Sequence, residues 1–145
     1  MTRINSAIPV KNLTDEHLKS EHREIIRIPS VYQKSIRCGS IHCIPDTFRL
    51  GTGHVLFFLD KIEFIYDRYI CVRNECWNRG IAVADYSGMF CNFLPEHVNP
   101  YAPTIKEYHL LCERIADRIQ NGKLKQYHYY HTPISKPDAI KLLDQ

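Results

Sequence analysis

From His54 to Arg79, the residues Phe58, Ile62, Ile65, Tyr69, Val72 and Cys76 recur at steps of four and three. A helix turns once in about 3.6 residues, so this spacing lines the apolar side chains along one face. A Gly51–Gly53 turn precedes the run and Gly80 follows it, as helix-start and helix-cap residues do. The spacing predicts one continuous helix over 54–79, the central strut of a core. Gly51-Thr52-Gly53 lacks the rest of any phosphate-cradling motif, so it reads as a tight turn.

Two further stripes flank this helix. Leu18, His22, Ile25, Pro29, Tyr32 and Ile36 predict a helix over 14–37, with Thr14 as N-cap and Asp15 and Glu16 at the positive end of its dipole. Pro29 lies inside that pattern and is expected to kink or break it near Ile25–Ile28, giving one bent helix. Ile105, Tyr108, Cys112, Ile115 and Ile119 predict a third helix over 104–121, closed by Gly122. Residues 81–103 carry Ser87-Gly88 and prolines 95, 100 and 103 and read as irregular connection. Strand signals are scarce. The expected class is all-α: a single compact domain over 1–145, with three main helices, long irregular connections and a basic, aromatic C-terminal tail. Residues 138–144 have the pattern of a short amphipathic helix.

Composition sets outer limits. With 44% hydrophobic and 24% charged residues, the chain is not a disordered one. Its longest apolar stretch, Val55 to Leu59, falls far short of the about 20 residues a membrane helix needs. No apolar segment of signal-peptide length follows Met1, which predicts a cytoplasmic protein with its six cysteines as reduced thiols. Cys38 and Cys43, like Cys71 and Cys76, are five apart rather than at zinc-knuckle spacing, so no metal site is expected.

Charge is unevenly distributed. Residues 1–49 carry eight Lys/Arg against five Asp/Glu, residues 50–113 five against eight, and residues 114–145 six against three. If the basic ends meet in space, they make a face for a polyanion, nucleic acid being the commonest. Charge alone favours the plainer reading, a solvated surface with an accidental bias.

Three places have residues suited to chemistry. Thr2 is small enough for Met1 to be removed, which would expose an α-amine with a reference pKa of about 7.7–8.0, nucleophilic at neutral pH. Arg3 beside it would lower that value further. In the first helix His17 and Glu24 share a face, and Arg23 and Arg27 lie one turn apart. A carboxylate among cations can stabilise a cationic sugar intermediate or move protons, while the arginines hold phosphates. The plain alternative is an exposed helix face laced with ion pairs. Arg114 and Arg118 likewise project from one face of the third helix. In the tail, Lys123 and Lys125 precede Tyr127, Tyr129 and Tyr130, a surface for stacking on bases or a means of fastening the tail to the core.

These features coincide with a known pattern. The chain opens Met1-Thr2-Arg3-Ile4-Asn5. It continues with Leu-x-Asp-x-His-Leu-x-x-Glu-x-Arg-Glu over Leu13 to Glu24, and with Thr47-Phe48-x-Leu50-Gly51-x-Gly53-His54-Val55-x-Phe57-Phe58-x-Asp60-Lys61-x-Glu63-Phe64. Glu75-Cys76, Arg79-Gly80 and a Tyr-x-Tyr-Tyr tail at Tyr127 to Tyr130 follow. In these it resembles the phage endonuclease V family, the pyrimidine-dimer DNA glycosylase/AP lyases, over residues 1 to about 134. The resemblance implies a compact all-α enzyme, acting as a monomer without metal or cofactor on double-stranded DNA that carries UV lesions. It implies Thr2 as the nucleophile, through its α-amine, and Glu24 as the catalytic carboxylate. Arg3, His17, Arg23, Arg27, Tyr69, Arg114 and Arg118 take family positions at the DNA surface, with Lys123, Lys125, Tyr127, Tyr129 and Tyr130 joining them from the tail.

There are departures. Gln126 stands where the family has tryptophan, Tyr69 where it has glutamine, and Arg118 where it has lysine. Pro29 is shifted from the family's proline, and Ser135 to Gln145 extend past the pattern. Two alternatives stay open: the same chemistry on another damaged base, and a DNA-binding protein without catalysis.

Overall fold

The structure, a computed structural model, describes residues 4–39, 41 and 44–145. It is mostly helical, with one small antiparallel hairpin. Helices α1 (Asp15–Ile25) and α2 (Arg27–Arg37) occupy the first predicted stripe. Pro29 has no N–H for the carbonyl of Ile25, and its ring crowds that oxygen. The break therefore falls at Ile26, between two helices rather than within one bent helix. The proline sits in the first turn of α2, where a missing donor costs nothing.

The 54–79 stripe is also divided. Helix α3 (His54–Phe57) is one turn long, and α4 (Ile62–Asn78) begins after a break. Phe57, Phe58 and Leu59 are consecutive and all buried. On a straight helix three successive side chains point in widely different directions, so no single face buries them all. The chain turns instead, and Lys61 fastens the turn by donating to the carbonyl oxygen of Phe57 at 2.8 Å and to Asp60 at 2.7 Å. The prediction of one continuous helix over 54–79 fails there.

The far end of α4 closes as its glycine foretells. Gly80 has φ +74°, its N–H bonds the carbonyl of Trp77, and Ile81 N–H bonds that of Cys76 at 2.8 Å. In the last turn before this cap Trp77 lies on the surface, its indole N–H donating to the carbonyl of Val83 at 3.2 Å and its ring lying under Arg73. Residues 81–103 are irregular apart from short turns at Ser87–Met89 and Pro95–His97.

Helix α5 (Ile105–Asn121) starts in a capping box, with Thr104 and Glu107 each bonding the other's backbone N–H. At its exit, a Cβ on Gly122 would lie 2.3 Å from the carbonyl oxygen of Arg118, so a side chain there is sterically excluded. The tail, where strand signals are scarce, forms strands β1 (Tyr127–Tyr129) and β2 (Thr132–Ile134), Tyr127 facing Ile134 and Tyr129 facing Thr132. Helix α6 (Lys136–Lys141) and a final turn to Asp144 follow, in line with the amphipathic pattern of 138–144.

Two buried clusters form the core. Ile4, Ile25, Ile28, Tyr32, Phe57, Phe58, Ile62, Ile65 and Tyr69 make one. Ile8, Leu18, Val72, Cys76, Leu111, Ile115, Ile119, Tyr127 and Leu143 make the other. Helices α1 and α4 contribute to both, so this packed pair is the spine from which α5 and the tail are hung. No helix among the described residues is long and apolar enough to cross a membrane. The five described cysteines are free thiols.

Candidate active site

Buried polar side chains hold the N-terminal segment in place. Glu21 and Arg68 form a two-pronged ion pair, with N···O distances of 2.6 and 3.0 Å. The same Glu21 accepts from Asn5 N–H at 3.2 Å, and Arg68 donates to the carbonyl of Ile8 at 2.6 Å. His54, delivered by the Gly51–Gly53 turn, accepts from Ile4 N–H through Nε2 at 2.9 Å. Gly53 has φ +92°, the left-handed region where glycine is at ease, as that turn requires.

Beside this segment, α1 and α5 face each other across an open cleft of roughly 570 Å³. One wall carries Glu16, His17, Ser20, Arg23 and Glu24, and Asn5 also lines the cleft. The other carries Arg114, Asp117, Arg118 and Asn121, and Lys123 and Tyr127 complete the rim. Glu24 is half-buried, and burial raises its carboxyl pKa, against the pull of the Arg23 and Arg27 charges. Arg23, Arg118 and Lys123 are exposed. A carboxyl lifted towards neutrality and set among cations suits proton transfer beside an anionic group.

His17 is fixed from two sides. Its Nδ1 meets the hydroxyl of Thr14 at 2.9 Å, and its ring stacks on Tyr127. Burial holds its pKa below the ordinary value, so the ring at the cleft is neutral near pH 7.

The acidic first turn of α1 does more than favour the helix dipole. Glu16 accepts from His128 twice, from the backbone N–H at 2.9 Å and from Nδ1 at 2.6 Å. Asp15 accepts from the amides of Tyr130 and His131 at 3.2 and 2.8 Å. Those two residues form the hairpin turn with φ +51° and +66°, a conformation that side chains disfavour. Burial would raise the Asp15 pKa, but these amides and Arg79 together hold it below the usual carboxylate value.

Several expected residues thus meet at one place: His17, Arg23, Glu24, Arg114, Arg118, Lys123 and Tyr127. Arg27 opens α2 and is exposed, its charge reaching Glu24. Lys125 is exposed on the link between α5 and β1. The three tyrosines expected at the DNA surface outside the cleft are placed as follows. Tyr69 is fully buried, its hydroxyl 3.3 Å from His22 and accepting the N–H of Tyr86 at 2.6 Å. Its size and apolar ring put it in the core stripe of α4. Tyr129 and Tyr130 flank the guanidinium of Arg79 at 4.8 and 4.6 Å and donate to the carbonyl of Lys11 and to Glu75. They fasten the tail, one of the two readings its sequence allowed. Thr2 and Arg3 lie outside the described residues.

Asn5, Ser20, Asp117 and Asn121 line the cleft without having been singled out as site residues. Asp117 and Asn121 were legible, being three and seven residues after Arg114 on the same helix face. Among the described residues, no three His, Cys, Asp or Glu side chains gather as metal ligands would.

A small helical protein with a raised-pKa carboxyl in a cation-rimmed cleft is equipped for acid–base chemistry on an anionic substrate. A family model described as pyrimidine dimer DNA glycosylase matches residues 1–86, more than half the chain, and the protein belongs to that family. It is accordingly a DNA repair glycosylase, with DNA as its substrate. The matched span includes Thr2, Arg3 and the α1 wall; the α5 wall and the tail lie beyond it.

Proposed function

We propose that residues 1–145 act as one monomeric unit that removes the 5′ base of a cyclobutane pyrimidine dimer and then nicks the abasic site. The observation that carries this is Glu24, half-buried with a raised pKa at the cleft between α1 and α5, in a chain whose first 86 residues match the family. Once Met1 is removed, the Thr2 α-amine bonds C1′ of the 5′ nucleotide while that nucleotide's glycosidic bond breaks; the base takes up a proton and stays joined to its 3′ neighbour through the cyclobutane ring. Opening of the sugar ring gives an imine. Loss of a C2′ proton then expels the 3′ phosphate, and the strand is cut by β-elimination. Glu24 moves protons and offsets positive charge at the sugar. Arg23, Arg27, Arg114, Arg118 and Lys123 hold flanking phosphates, with Arg3 at the amine. A damaged step is already poorly stacked, which lowers the cost of displacing the base opposite it.

Borohydride trapping tests this on two duplexes, one with a thymine dimer and one with an abasic site. Covalent capture on both, mapped by peptide mass to Thr2, is expected. Capture on the abasic duplex alone would redirect the glycosylase step to another damaged base. No capture from protein shown to lack Met1 would leave DNA binding without this chemistry.

A further inference from the structure

We propose that His54 is a positioning residue: its imidazole grips the backbone of Ile4 and so sets where the α-amine of Thr2 stands. The inference rests on the amine reading above. It starts from a buried histidine used at both ring nitrogens. Nε2 accepts from Ile4 N–H at 2.9 Å, and Nδ1 lies 3.0 Å from the carbonyl of Arg49. A carbonyl only accepts, so Nδ1 carries the proton and Nε2 offers its lone pair. Only this neutral tautomer satisfies both partners.

The surroundings preserve that state. His54 is buried, with Phe48 and Phe58 edge-on to its ring. Burial lowers its pKa most. The Arg49 carbonyl and the charge of Glu21 on α1 oppose this, and the charge of Arg114 on α5 reinforces it. The hydrogen bond therefore persists at neutral pH.

Its consequence is geometric. Thr2 lies two positions before Ile4, a reach of at most about 7 Å when extended. Ile4 is itself in the core, and the next amide, Asn5 N–H, is held by Glu21 beside the cleft. With Ile4 fixed as the base of so short a tether, the positions open to the amine are bounded. Releasing the tether spreads it over many positions and lowers its effective concentration at the sugar. Protonated His54 has no lone pair for Ile4, so acid would free the tether.

The test compares wild-type protein with His54→Phe, which keeps an aromatic ring and loses the acceptor, and His54→Gln, which restores one. Amide exchange at Ile4, duplex affinity, and the single-turnover rate of borohydride trapping on a saturating abasic duplex are measured for each. His54→Phe is expected to exchange Ile4 and to trap at rates tenfold or more from wild type, faster and slower respectively, with affinity unchanged. His54→Gln should recover part of both. Should His54→Phe fail to fold, a pH series on the wild type serves: His54 protonation followed by ¹⁵N NMR should coincide with loss of Ile4 protection and a fall in trapping. Wild-type trapping in a folded His54→Phe, or Ile4 exchange that ignores His54 protonation, overturns the inference alone. Absence of capture on the wild type removes the amine reading and this inference with it.

Discussion

The rings of His17 and Tyr127 stack with centroids 5.6 Å apart and planes 13° from parallel, joining α1 to the tail hairpin at the edge of the cleft. One partner lies within the span matched to the family and the other 41 residues past its end. The cleft is thus completed by sequence outside the matched region, and both walls bear on what it does.

The carboxyl at its centre is the first to alter. Glu24→Gln keeps the shape and removes the proton chemistry. Nicking of the dimer duplex should fall by about 10²- to 10⁴-fold while binding is retained, as read by single-turnover cleavage and a gel shift. Undiminished nicking would remove Glu24 from the reaction.

Arg23 on one wall and Arg118 on the other should each contact a phosphate. Replacing either with Gln is expected to flatten the log–log dependence of affinity on salt by about 0.9. An unchanged slope for one of them would place the duplex off that wall.

Arg79 is the most heavily used cation of the fold. It pairs with Asp15 and Glu75, both at 2.9 Å, bonds the carbonyl of Leu13 at 2.8 Å, and lies between two tyrosines. Arg79→Met leaves two buried carboxylates without their partner, and urea denaturation should show a loss of about 3–5 kcal/mol. A loss under about 1 kcal/mol would mean that the pair contributes little beyond what the hydrophobic replacement supplies.

Stability should also fall in mild acid. Burial lowers the pKa values of His17, His22 and His54 from 6.5. Below that value the unfolded chain takes up protons that the folded one resists. The folded state is therefore fully favoured above pH 6.5 and loses ground as pH falls towards the folded values. Thermal melts from pH 7.5 to 5 check this, and His54→Gln should reduce the slope.

Much of this was visible in the residues, and the failures share a cause. Periodicity located α5 to within one residue and placed the break before Pro29, because each depends on local chemistry. It missed the division at Phe58–Lys61, where burying three successive apolar residues outweighs helix continuity. It also missed the hairpin, because Tyr130 and His131 are poor residues for a tight turn and become usable only when Asp15, far earlier in the chain, accepts both their amides. The cleft's charged residues were legible from spacing along two helices. The hold of His54 on Ile4 was not: it spans 50 residues and leaves no periodic trace.

Trp77 is the chain's single tryptophan, 46% exposed at the end of α4 and tied to Val83 through its indole N–H. Nature has therefore supplied one indole reporter, at a helix end and absent from the cleft lining. Its emission gives an optical gauge of whether the α4 cap and the start of the irregular segment remain closed. Duplex binding that alters this signal would reveal strain transmitted along the spine, without any dye attached to the protein.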